Sequence, residues 1–105
     1  MVARGSVCWV EFDKRRPCVV VSSADVLAAD VWQVHVVPLT SNVARANLAG
    51  NVLLSEAESG LPKESVAVPL GLELIDRSWL GAEAATLPPA LMEQVDNGVR
   101  VVLGL

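Results

Sequence analysis

The sequence predicts a mainly β chain with a C-terminal α-helix, its strands rolled into a small, strongly curved sheet or barrel. Three observations carry that prediction. Short apolar runs rich in valine recur from residue 6 to residue 87, separated by turn-forming residues. A stretch with helical periodicity follows Pro88-Pro89 and continues to the end of the chain. The length of 105 residues, 52% of them hydrophobic and 19% charged, suffices for one core and not for two, so residues 1–105 read as a single domain.

Taken in order, Ser6-Val7-Cys8-Trp9-Val10-Glu11-Phe12 is a first strand by β-propensity. Asp13-Lys14-Arg15-Arg16 is a short polar connection, and Pro17 opens the second strand at a first position, where proline is tolerated. Ala24 to Asp30 is a loop or a single helical turn, and Val31 to Leu39 is the third strand. Asn42 to Asn51 is polar with a turn at Gly50, Val52-Leu53-Leu54 is a short strand, and Glu56 to Pro62 is an acidic turn region. Ser65 to Leu70 is a further strand that Pro69 makes an edge or an irregularity. Leu72 to Leu80 reads as a strand end passing into a turn. Gly81 to Leu87 has the composition of a helix but the placement of a strand. In the last element, prolines favour a helix start. Leu91, Val95, Val99 and Val102 or Leu103 share one face, with Glu93, Asp96 and Arg100 off it and Gly98 interrupting it.

Composition excludes several functions. No apolar run approaches the roughly 18 residues that cross a bilayer, so no membrane role is expected. The opening Met1-Val2-Ala3-Arg4-Gly5 lacks the apolar segment of a signal peptide, and the expected address is the cytoplasm. Cys8 and Cys18 sit in apolar runs and read as core thiols. With one histidine and two cysteines, a four-ligand structural zinc site cannot be built from one subunit; no cofactor is expected. The net charge of −4 argues against non-specific coating of nucleic acid. Its distribution is uneven: residues 1–50 hold five cations against four carboxylates, and residues 51–105 hold three against eight. A polyanion should therefore meet the first half.

The candidate chemistry starts at Arg15-Arg16-Pro17. Proline fixes its own φ and pushes the preceding residue towards an extended conformation, so Arg16 should be held at the mouth of a strand. A guanidinium on a rigid element presents a planar, permanently charged fork to a phosphate or carboxylate. The short connection between strands two and three makes antiparallel pairing the default. With Ser23 opposite Trp32, Arg16 falls about opposite Leu39 and Thr40. Thr40-Ser41-Asn42 then gathers at the same sheet end as Lys14-Arg15-Arg16, which outlines a phosphate site.

Other chemistry is weaker. His35 stands alone in mid-strand with no nucleophile-elbow sequence, and is read as packed or hydrogen-bonded. Glu56, Glu58 and Glu64 read as a solvated surface, and Trp9, Trp32 and Trp79 as core. An arginine, permanently charged, donates protons poorly but stabilises a pentacovalent phosphate well. Arg16 with Thr40 therefore suits metal-free phosphodiester transesterification, in which RNA supplies its own 2′-hydroxyl nucleophile. The sequence shows no general base for that reaction.

At these residues the chain resembles the MazF/PemK family, the endoribonuclease toxins of type II toxin–antitoxin pairs. The likeness runs through Arg4-Gly5 and the strand with Trp9, then Arg16-Pro17-Cys18-Val19-Val20-Val21-Ser22 and Val36-Val37-Pro38-Leu39-Thr40-Ser41-Asn42. It continues in Gly50-Asn51-Val52-Leu53-Leu54, Gly60-Leu61-Pro62-Lys63-Glu64-Ser65-Val66, Ile75-Asp76-Arg77-Ser78 and the closing Val95 to Leu105. The resemblance implies a small SH3-like barrel of the CcdB/PemK/MazF type, a homodimer and no metal. It implies sequence-specific cleavage of single-stranded RNA that leaves a 2′,3′-cyclic phosphate and a 5′-hydroxyl, and inhibition by a cognate MazE-type antitoxin with an acidic, flexible tail. It places the catalytic pair on Arg16 and Thr40, with Lys14, Arg15, Ser41 and Asn42 in RNA-binding support. Where many members carry a longer loop, this chain has only Asp13-Lys14-Arg15 before Arg16. Where some carry an Arg and an Asp it has Val68 and Leu70, and Gly71-Leu72-Glu73 replaces the usual Gln-x-Arg. Two rival readings share the fold: a CcdB-like poison that binds DNA gyrase through its last helix, and a degenerate toxin that binds RNA or antitoxin without cutting. The Arg-Pro and Leu-Thr-Ser-Asn signatures favour the nuclease.

Overall fold

β-branched side chains pack well on a pleated surface, and where both faces of a sheet are covered a strand can be apolar throughout. The valine runs of this chain follow that rule. The computed structural model describes residues 2–11 and 14–105. Its strands are β1 (Ser6–Glu11), β2 (Arg15–Val20), β3 (Gln33–Thr40), β4 (Val52–Leu54), β5 (Ser65–Ala67), β6 (Glu73–Asp76) and β7 (Leu80–Thr86). The helices are α1 (Ala24–Ala28), α2 (Glu56–Ser59) and α3 (Pro89–Leu103). The strands form one curled antiparallel sheet in the order β4-β5-β3-β2-β1-β7, and β6 also pairs with β3.

Alternation along the strands sorts the side chains into two layers. On one face, Val7, Val19, Val37 and Leu39 pack with Leu54 and with Met92 and Val95 of α3. On the other, Cys8, Cys18, Val20, Val34, Val36 and Ile75 form a second cluster, with Leu27 of α1 and Trp79 against it. Cys8 and Cys18 are register partners across β1 and β2, and both are free, buried thiols. Desolvation raises both thiols above their ordinary 9.0, Cys18 to about 12.

Several expectations are adjusted. The second strand begins at Arg15 and not at Pro17, so two of the rim cations belong to the strand itself. The third strand runs from Gln33 to Thr40. Phe12 and Asp13, read as strand end and connection, lie outside the described residues. The acidic turn region contains α2, opened by a capping box in which Ser55 and Glu58 satisfy one another's backbone N–H groups. Ser65 to Leu70 is strand only to Ala67, and Pro69 starts a 3₁₀ turn, Pro69–Gly71. Residues 80–86 are strand, as their placement suggested. Trp32 is not core: it stands 75% exposed just before β3. On α3 the buried line is Met92, Val95 and Gly98, with Leu91 and Val99 half-buried. Gly98 is required there, because a Cβ would run into the backbone carbonyl of Gly50.

The Ile75-Asp76-Arg77-Ser78 motif turns out to be structural. Asp76 accepts hydrogen bonds from the Ser78 backbone N–H at 2.9 Å and its hydroxyl at 2.7 Å, which hold its carboxyl below the usual carboxylate range. The Arg77 guanidinium donates to the carbonyls of Leu27 and Val31, fixing the approach to β3.

Candidate functional site

Two prolines open the site. In an antiparallel pair, alternate residues turn their backbone groups to the same neighbour. The Val21 N–H donates to the His35 carbonyl on β3, so Val19 and Pro17 face β3 as well. Pro17 has no N–H to give, and the β2–β3 ladder ends at Cys18↔Pro38. On the other edge of β3, the Pro38 carbonyl accepts from Val68 N–H at 3.0 Å. The missing donor of Pro38 therefore falls where the neighbour of β3 changes from β6 to β5. Beyond Cys18↔Pro38 the β2–β3 pairing stops, while β3 continues against β5 and β2 against β1.

Continuing the observed register places Arg16 opposite Thr40, within the one-residue margin that the sequence implied. Opposed residues share a face, and Arg16 and Thr40 line one cavity of about 260 Å³, together with Val10, Cys18 and Glu73. Thr40 also borders two further cavities. One, of about 350 Å³, holds Trp9, Ser41, Pro62 and Lys63. The other, of about 240 Å³, holds Arg45 and Leu70.

The polar groups of this rim are uncommitted. Arg16 makes no hydrogen bond or ion pair among the described residues, and neither does the Lys63 ammonium or the Arg45 guanidinium. The Thr40 hydroxyl oxygen accepts the Asn42 backbone N–H at 3.2 Å. Its O–H is not engaged by any hydrogen bond among the described residues and is open to donate to a phosphate oxygen.

The remaining predicted residues divide. Ser41 lies in the adjoining cavity with Trp9. Asn42 contributes its backbone to Thr40 and precedes the 3₁₀ turn Val43–Asn47. Lys14 is exposed just before β2. Arg15 points to the opposite face from Arg16: its guanidinium lies over the Trp9 ring at 4.3 Å and pairs with Glu11 at 3.3 Å. His35 lies towards the other end of β3, beside a cavity of about 390 Å³. There Arg4 is tied to Asp96 at 2.5 Å and Arg100 to Asn97 at 2.6 Å. That cavity is larger, but its cations are engaged and it holds none of the Arg16 set.

Sequence reading missed four members of the rim: Trp9, Arg45, Lys63 and Glu73. Lys63 and Trp9 stood within recognisable segments, but nothing local tied them to Thr40. Glu73 arrives through the pairing of β6 with the far edge of β3, where it opposes Val36. Among the described residues, no three of His, Cys, Asp and Glu converge as metal ligands. Nor is any helix long and apolar enough to cross a membrane.

Residues 3–103 match a family model described as PemK-like, MazF-like toxin of type II toxin–antitoxin system. Endoribonuclease MazF2 of Mycobacterium bovis is 30% identical over 113 residues, covering 100% of this chain and 99% of the relative. Endoribonuclease MazF6 of Mycobacterium tuberculosis gives the same figures. Among solved structures, an endoribonuclease in complex with its cognate antitoxin from a mycobacterial species superposes with a TM-score of 0.86 at 21% identity, covering 100% of this chain and 97% of that one. A MazE–MazF complex from Deinococcus radiodurans (Form-II) superposes at 0.81 with 22% identity, covering 99% and 96%. At that identity the two structures speak for the shared fold.

Proposed function

The chain belongs to the PemK-like, MazF-like toxin family of type II toxin–antitoxin systems, and from that premise we propose that it is a metal-independent endoribonuclease cutting single-stranded RNA with Arg16 and Thr40. The observation that carries this reading is the unpaired Arg16 fork sharing a cavity with the donating hydroxyl of Thr40. A free guanidinium can hold the two non-bridging oxygens of a phosphodiester and gains strength as their charge grows in the phosphorane. Thr40 donates to a phosphate oxygen and fixes its position. The neighbouring 2′-hydroxyl attacks phosphorus, the bond to the 5′-oxygen breaks, and the products are a 2′,3′-cyclic phosphate and a 5′-hydroxyl. The flanking Lys63 and Arg45, with Lys14 and Arg15 beyond, supply the cationic track along which a strand lies. Trp9, Ser41 and Asn42 stand where adjoining nucleotides would be held.

The same reading makes residues 1–105 one toxin domain, a homodimer in the cytoplasm, neutralised when an acidic MazE-type antitoxin segment covers the cationic track. RNA-end mapping after induced expression tests it. The wild type should create new 5′-hydroxyl ends at short motifs, with or without chelator, and Arg16→Ala should create none while remaining folded. Intact RNA with gyrase-dependent DNA breaks would overturn the nuclease in favour of the gyrase poison, and RNA binding without new ends would favour the degenerate toxin.

A further inference from the structure

A transesterification needs a proton acceptor for the 2′-hydroxyl; Arg16 offers no acceptor and the Thr40 hydroxyl is too weak a base to take a proton. The acceptor should lie within reach of the same phosphate. Among the described residues, one carboxylate lines any of the three cavities that meet at Thr40, and it is Glu73. Its position is set by the sheet: Glu73 opposes Val36 on β3, on the face that carries Cys18, Arg16 and Thr40.

Glu73 is free to act. It forms no salt bridge or hydrogen bond among the described residues, and its carboxylate is more than 4.0 Å from the Arg16 guanidinium, since no ion pair joins them. Arg16 and Glu73 line one cavity of about 260 Å³ without pairing, so both remain open to a ligand that enters it. Had they paired, each would have quenched the other.

We propose that Glu73 is the general base of this enzyme, a role that rests on the endoribonuclease reading above. The Glu73 carboxylate takes the proton from the 2′-hydroxyl as the 2′-oxygen bonds to phosphorus. Arg16 holds the charge on the non-bridging oxygens, and the bond from phosphorus to the 5′-oxygen breaks. Solvent water protonates the departing 5′-oxygen, and Glu73 returns its proton to solvent, so the cycle consumes none. Within the cavity the other titratable or charged groups are Arg16 and Cys18, both on β2. His35 opposes Leu74 and so belongs to the other face of the sheet. The Cys18 thiol stays protonated up to about pH 12 and so does not serve as the base near neutral pH.

The test is single-turnover cleavage of a single-stranded RNA containing a mapped site, by the wild type, Glu73→Gln and Glu73→Asp. Binding is measured in parallel on the same oligonucleotide with a 2′-deoxy nucleotide at the scissile position. A general base predicts that Glu73→Gln slows cleavage by on the order of 10²-fold or more, while binding of the deoxy probe stays equal or tightens. Glu73→Asp should recover part of the rate, and the rise of rate with pH on the acidic limb should vanish in Glu73→Gln. Cleavage by Glu73→Gln at or above the wild-type rate would show a merely repelling charge and overturn the assignment. If Arg16→Ala is inactive while Glu73→Gln is not, the endoribonuclease reading stands and Glu73 alone falls. A wild type that cuts no RNA takes down both.

Discussion

Arg15 and Arg16 are neighbours in sequence and opposites in structure. The period of two in a strand sends one guanidinium to each face of β2. Arg15 meets Trp9 and Glu11 and is held by both. Arg16 meets a cavity with Thr40 and Glu73 and is held by neither side chain. An arginine whose donors are satisfied within the fold contributes packing and local charge. One whose donors are open can be organised by a ligand, and it is the second kind that a phosphate site requires. Arg77 makes the same point from elsewhere in the molecule: its Nη1 donates to two backbone carbonyls, and its segment shapes the fold.

The sharpest way to break this contrast is Arg16→Lys. The charge survives, but the two-pronged geometry is lost, and catalysis should fall by about 10²-fold or more if the fork stabilises the transition state. Burst kinetics on a mapped RNA would read this; near-normal cleavage by the lysine variant would reduce Arg16 to a point charge. A smaller effect is expected from Arg15→Ala. Loss of the contact with Trp9 and an exposed ion pair should lower stability by about 1 kcal/mol or less, with cleavage changed only several-fold and mainly through KM. Urea denaturation and a KM-against-kcat comparison would show it, and a collapse of kcat would merge the two faces into one site.

The smallest effect concerns the wall beside Arg16. Folding holds the Cys18 thiol protonated to about pH 12, whereas an unfolded thiol ionises around 9.0. Between those values the unfolded chain has lost its proton and the native one has not, so this group's contribution to stability is full below pH 9 and declines as pH rises towards 12. Urea midpoints from pH 8 to 11 should fall less steeply in Cys18→Ala than in the wild type. Equal slopes would mean that the cavity wall is wet and Arg16 works in a more water-like setting.

What was legible in the sequence was local. The β-branched runs named their strands because both faces of the sheet are covered. Arg16 and Thr40 could be brought together because a short connection leaves antiparallel pairing little choice, and the register was off by one residue at most. Glu73 was visible only as a missing cation. Its arrival at the cavity depends on β6 joining an edge of β3 far from it in sequence, and side-chain patterning carries no signal for that choice. The helix α2 did have a written signal, Ser55 with Glu58 three residues on. It was too short for any periodicity, so composition alone suggested a turn. Trp32 was assigned to the core from its residue type, but it precedes the first paired residue of β3 and escapes the alternation that buries Val34 and Val36.

The proline at position 17 has a bearing on time as well as shape. Strand ends ordinarily fray and re-anneal, so a cleft between them opens for only part of each cycle. Opposite Leu39 one of the two bonds that would re-anneal this pair has no donor, and the alternation between closed and open lacks a fully closed partner state. On the endoribonuclease reading, a strand of RNA would meet an edge where the β2–β3 ladder already ends at Cys18↔Pro38, because Pro17 has no N–H with which to extend it.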